Sequence, residues 1–274
     1  MSTNYPKPSI VIKNLIKKYG DFIAVNDISL TVEAGKIFGF LGPNGAGKTT
    51  TIKILAGLLQ QDSGDVIING YDISKNPEKC KFSTGYIPDR PFLYEKLTGI
   101  EFLKFIASLY NLSIEIFEKN TSHLLKLFDL YEWKNHLIES YSHGMRQKLI
   151  MTSAFMLETP MIIVDEPMVG LDPKSARIVK ELFKRHSLKG GSIFLSTHSL
   201  EIAEELCDEI AIILNGSLKI IGDMESLRKE ASLHDSDLEE VFLQLTDTED
   251  LSKIIIALKA VSYTHLTLPT ILLV

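Results

Sequence analysis

The octapeptide GPNGAGKT, Gly42 to Thr49, constrains this chain more than any other stretch. It follows a short apolar run, Ile37 to Leu41, and opens a segment of helical pattern, Lys48 to Leu58. A strand, a glycine loop and a helix in that order give the context in which the pattern G-x-x-x-x-G-K-[ST], met here at every specified position, holds phosphate. Gly42, Gly45 and Gly47 let the backbone turn tightly around an anion, with successive N–H groups and the helix start pointing at the oxygens. Pro43, Asn44 and Ala46 fill the variable positions. Lys48 is expected to reach the β- and γ-phosphates and Thr49 to place its hydroxyl on Mg²⁺.

A second constellation points to nucleotide hydrolysis. MIIVDEP, Met161 to Pro167, is a buried strand running into Asp165 and Glu166, and ligands of α/β sheets bind at strand ends. Successive strand residues face opposite ways, so the two carboxylates cannot share one task. Asp165 is expected in the magnesium shell and Glu166 to polarise a water for in-line attack. Ile193 to Thr197 is another such strand and delivers His198 to the same edge, where a neutral imidazole holds the water and Glu166 in register. Guanine recognition by an Asn-Lys-x-Asp sequence is not found, which favours adenine, and Tyr19 offers it a flat stacking face.

The rest of the chain supplies a frame. Ile10 to Val32 alternates around Tyr19-Gly20-Asp21 as antiparallel strands with one wet face. Val66 to Ile68 reads as a strand before an Asn69-Gly70 turn. Helical spacing occupies roughly 92 to 160. Apolar runs then return around a helical segment, Pro173 to Arg185, and Ile210 to Leu214, Asn215-Gly216 and Leu218 to Ile221 read as a hairpin. The expected fold is α/β: a P-loop NTPase core with a mainly parallel sheet, an N-terminal antiparallel β-subdomain and an inserted α-helical subdomain.

Composition narrows the setting. At 274 residues, 45% hydrophobic and 23% charged, the chain is an ordinary globular one, and a net charge of −6 argues against free-standing nucleic-acid binding. Cys80 and Cys207 have neither disulfide-framework nor zinc spacing. No apolar stretch approaches the roughly 20 residues needed to cross a bilayer, so a cytoplasmic place is expected, peripheral to the membrane through partners. VSYTHLTLPT, Val261 to Thr270, resembles the translated end of a transposon-derived sequencing adapter. Residues 261–274 are therefore expected to be artefact and 246–260 a C-terminal tail.

With YSHGMRQK, Tyr141 to Lys148, added after the helical insert, the chain resembles the ATP-binding subunit of ABC transporters over about residues 8 to 245. The resemblance implies that Tyr19 stacks on adenine, Gly42 to Thr50 form Walker A, and Asp89 holds the Q-loop position with a metal role. It implies that Ser142 and Gly144 form the signature, Met161 to Glu166 Walker B with the catalytic glutamate, and Gly170 to Pro173 the D-loop, with His198 the switch histidine. Ser142 also reads independently as the N-cap of an apolar-periodic helix, a start that can hold an anion. In the family two chains pair head to tail around two ATP molecules, each between one P-loop and the other's signature. The implied partners are a second copy or a paralogous ATPase subunit and transmembrane permease subunits, with no nucleic acid.

The signature reads YSHGM where LSGGQ is the commonest family form, and Asp89 stands where many relatives have glutamine. Both departures resemble the branch that exports drugs and antibiotics. Phe92, Leu93, Tyr94, Leu97 and Phe102 are expected to receive the permease's cytoplasmic helices. A soluble ABC ATPase with a scaffold or regulatory role is the alternative, and a small-molecule P-loop kinase is a third reading, disfavoured by Glu166 and the signature helix.

Overall fold

The computed structural model describes residues 7–230 together with Leu238 and Phe242. The expected tail at 246–260 and the adapter-like 261–274 lie outside the described residues. The chain forms two compact units, the first running to Met224 and the second from Glu225. Most of a short helix, α8 (Met224–Glu230), belongs to the second unit, and all that follows concerns the first.

Among the described residues, ten strands form two sheets. In the first, β1 (Ile10–Tyr19) pairs antiparallel with β2 (Phe22–Val32) and with β4 (Ser63–Ile68), and β4 pairs with β5 (Tyr71–Asp72). The second contains β3 (Ile37–Leu41), β6 (Thr84–Ile87), β7 (Met161–Asp165), β8 (Ser192–Thr197), β9 (Glu209–Leu214) and β10 (Ser217–Gly222), in the order β10-β9-β3-β8-β7-β6. It is parallel except for the β9–β10 hairpin. That hairpin turns at Asn215-Gly216 and the β4–β5 hairpin at Asn69-Gly70, with positive φ at both residues of each turn. This geometry matches the twist of the flanking strands.

Strands β3, β7 and β8 are buried along their whole length, as the central strands of a sheet covered on both faces must be. Alternation along β7 sends Met161 and Ile163 into one core, with Phe38, Phe40, Phe194 and residues of the antiparallel sheet. Ile162 and Val164 enter the other, with Phe183 and the helices between Gly99 and Phe155. Those helices are α3 (Gly99–Leu109), α4 (Ile114–Leu127) and α5 (His143–Phe155). Thr98 and Glu101 start α3 with a capping box, and Ser113 caps α4.

Besides α3 to α5, which lie between β6 and β7, α1 (Lys48–Leu55) follows β3, α2 (Pro77–Phe82) precedes β6 and α6 (Pro173–Leu188) joins β7 to β8. α7 (Leu200–Leu206) follows β8. Helix α1 stops short of the expected Leu58. Ala56 ends it, Gly57 takes φ +66, and the Leu58 N–H bonds back to the Lys53 carbonyl at 2.8 Å. This is a glycine-terminated helix end, and Leu58, which extended the apolar pattern, is 61% exposed.

A candidate nucleotide site at the carboxyl edge of the sheet

The parallel register aligns four strand ends. Leu41 lies beside Thr197, Asp165 beside Ser196, and Ile87 beside Val164. The glycine loop, the acidic pair, His198 and the Asp89 segment therefore leave the sheet at one edge. A cleft of about 320 Å³ opens there, lined by Asn44, Gly45, Gly47, Lys48, Thr49 and Thr50, by Asp89, Asp165 and Glu166, and at its mouth by Tyr19, Phe22 and Ala24.

The loop's shape depends on two glycines. A Cβ on Gly42 would come within 2.4 Å of the Ile213 carbonyl oxygen. Gly47 has φ +106, and a Cβ there would sit 2.4 Å from the Ala24 carbonyl oxygen. Lys48 donates to the carbonyls of Gly42 at 2.6 Å and Pro43 at 3.0 Å. Its ammonium lies across its own loop, where a phosphate oxygen can replace a carbonyl. Burial lowers the pKa of Lys48, and the charges of Glu166 and Asp165 oppose that shift.

Asp165 is 3% exposed and accepts a hydrogen bond from the Ser196 hydroxyl. Glu166 does not continue the strand. Its φ is +50, a left-handed conformation that costs a non-glycine residue about 1–2 kcal/mol. Its N–H donates to the Ser196 carbonyl at 3.2 Å. A turned backbone, rather than simple strand alternation, sets Glu166 apart from Asp165, and one Glu166 oxygen lies 2.9 Å from His198 Nδ1. Burial pushes the Tyr86 phenol on β6 up to about 12, with the charges of Asp165 and Asp89 adding to it.

Sequence reasoning missed Phe22 and Ser196. Phe22 pairs with Tyr19 across the β1–β2 hairpin, so the turn that placed one aromatic at the mouth also placed the other. Ser196 is one of three hydroxyl residues in β8, with Ser192 and Thr197, and stands two residues before His198.

Ser142 and Gly144 do not line this cleft. The Ser142 hydroxyl caps α5 by accepting from the Met145 N–H at 3.3 Å, and the residue is exposed. The α5 start rests on the loop after Glu166. The His143 ring lies so close to Gly170 that a Cβ there would meet it at 2.5 Å. Lys148 pairs with Asp172 at 3.0 Å.

Of the expected docking residues, Phe92 is 86% and Tyr94 54% exposed. Phe102, at 3%, belongs to the core, as its place in the capped first turns of α3 dictates, and Leu93 and Leu97 pack against that core. The Tyr94 ring meets the edge of Phe105, itself 39% exposed. No described helix is long and apolar enough to cross a membrane.

A family model described as ABC transporter matches residues 25–169, more than half of the chain. The chain belongs to the ABC transporter family. It is similar to the ABC-type transporter ATP-binding protein EcsA of Bacillus subtilis (strain 168), 36% identical over 235 residues, which cover 86% of this chain and 95% of that one. It is also similar to the linearmycin resistance ATP-binding protein LnrL of the same organism, 37% identical over 215 residues and covering 78% of this chain and 69% of that one. A solved ATP-binding subunit of an ABC transporter superposes with a TM-score of 0.84 at 36% identity, covering 87% of this chain and 99% of that one. The chain is an ATP-binding subunit of the ABC transporter kind, with the P-loop ATPase fold and the ATPase activity that membership of the family implies.

Proposed function

We propose that this chain powers a membrane exporter of drugs, antibiotics or other hydrophobic compounds, working as a head-to-tail pair that closes around two ATP molecules. The observation that carries the reading is the separation of two anion-ready helix starts. The α1 start belongs to the cleft; the α5 start, capped by exposed Ser142, lies outside its lining. A single chain thus presents a cradle and, elsewhere, a lid for another chain's cradle. The name of LnrL, a resistance protein, supports export. The exposed rings of Phe92 and Tyr94 offer a face to permease helices at the inner membrane surface.

In this reading the amides from Gly45 to Thr50 and the Lys48 ammonium grip the triphosphate, and Tyr19 stacks on the adenine. The donor set suits Mg²⁺: the Thr49 hydroxyl and Asp165 carboxylate, with Asp89 nearby, lie in one cleft. Mg²⁺ is commonly held by one or two carboxylates together with substrate phosphates. When bound, Mg²⁺ neutralises phosphate charge. Ser196, which donates to Asp165, would hold that carboxylate in place for it. Glu166 accepts the proton of the attacking water, and His198 fixes the Glu166 carboxylate.

The test is Glu166→Gln, which keeps shape and removes the base. Turnover is expected to fall by about 10²–10⁴-fold, with ATP affinity kept and a stable ATP-bound dimer seen by light scattering. Near-normal hydrolysis would exclude Glu166 as the base, and a protein that stays monomeric with ATP would exclude the paired mechanism.

A further inference from the structure

A second and larger cleft, of about 810 Å³, lies at the opposite edge of the six-stranded sheet, beside the residues that lead into β7 and β8. That volume falls in the range of small-molecule pockets, about 300–1,000 Å³. Nothing in the ATP reaction uses it.

The cleft is apolar inside and cationic around its lining. Leu124 of α4, Phe155 at the end of α5, Ile162 of β7 and Leu182 of α6 supply the apolar part. Lys119 of α4 and Arg185 and Lys189 at the end of α6 line it as well, and Glu158 is the one carboxylate among the lining residues. Glu158 pairs loosely with Lys189 at 3.7 Å. The side chains of Lys119 and Arg185 have no hydrogen-bond or ion-pair partner among the described residues. His186 adds a buried Nε2 without a hydrogen-bond partner among them. Burial lowers the pKa of that ring, and a neutral imidazole keeps one donor and one acceptor nitrogen.

Unpaired cations beside an apolar recess favour a negative head on an apolar body, and reject cationic or purely polar ligands by charge and desolvation. We propose that this cleft is a second binding site, taking a soluble amphiphile with a carboxylate or phosphate head on Lys119 and Arg185 and a short apolar tail against Leu124, Phe155 and Leu182. Its occupant would touch both the helical segment, through α4, and the sheet, through Ile162.

Octanoate and octyl phosphate, below their micellar concentrations, are titrated calorimetrically into the full chain, with octanol and octylammonium as controls. Both acids are expected to bind saturably, one per chain, and at least about tenfold more tightly than either control, a difference of about 1.4 kcal/mol. The double charge reversal Lys119→Glu with Arg185→Glu should cost at least that factor while binding of a fluorescent ATP analogue is unchanged. Methyl NMR of the unmutated chain locates the ligand independently, through shifts at Leu124, Ile162 and Leu182. The proposal is overturned if neither acid saturates, if octanol binds as tightly as octanoate, if the double reversal leaves affinity unmoved, or if the shifts fall only on other methyls. Capture by anionic vesicles without binding of the monomeric acids overturns it as well, since that is a membrane-facing surface.

Discussion

Ser196 holds both acids of the nucleotide cleft with one residue's worth of polar atoms. Its hydroxyl donates to Asp165, and its carbonyl accepts from the Glu166 N–H. Replacing it by alanine leaves a carboxylate that is 3% exposed without its hydroxyl donor, a loss of about 1–3 kcal/mol. Ser196→Ala should therefore lower the thermal midpoint by several degrees and reduce Mg²⁺-dependent turnover about tenfold, with Mg²⁺-free nucleotide binding retained. An unchanged midpoint and turnover would mean that the hydroxyl positions nothing. The types and order of the residues that line this cleft were legible because phosphate chemistry demands glycine, lysine and carboxylate at fixed offsets. The left-handed turn at Glu166 was not, because nothing in a glutamate's identity announces a positive φ.

Asp172 serves two helices at once. Its carboxylate caps α6 by accepting from the Ser175 N–H at 2.9 Å and hydroxyl at 2.7 Å, and it pairs with Lys148 on α5. The Ser175 hydroxyl, the Ser175 amide and Lys148, in that order, hold its pKa well below the usual carboxylate range. A carboxylate depressed in the folded state contributes stability above its unfolded pKa, near 4, and loses it as pH falls through the folded value. Asp172→Asn should therefore lower the denaturation midpoint at pH 7, and its deficit against the unmutated chain should shrink progressively below pH 4. A deficit that stays constant with pH would show that the charge is not what stabilises the cap. Elements bounded by sharp punctuation were readable in this way: β3, β7 and β8 are apolar runs closed by glycine, acid or histidine. By contrast β6, four residues reading TGYI, and α2 and α7, of six and seven residues, are too short to show a period. Yet β6 is the strand that carries Asp89 to the cleft.

For the whole molecule, the two helix starts should be separable by mutation. Lys48→Ala removes a charge from the cradle, so ATP binding itself should be lost. Ser142→Arg touches nothing that lines the cleft, so a single chain should bind a fluorescent ATP analogue within about twofold of the unmutated protein. Pairing with ATP and hydrolysis should nevertheless fail, because a bulky cation then blocks the face offered to the partner. Normal ATP-induced pairing and turnover in Ser142→Arg would dismiss the shared site. The His143 ring pressed on Gly170 bears on timing in such a pair. In the proposed pair each chain's Glu166 loop would attend to one nucleotide and its α5 to the other, with that contact linking the two duties within a single polypeptide. If the proposed pair forms, cleavage on one side would then tug at the grip on its counterpart, so that the two firings would keep a rhythm instead of running as separate clocks.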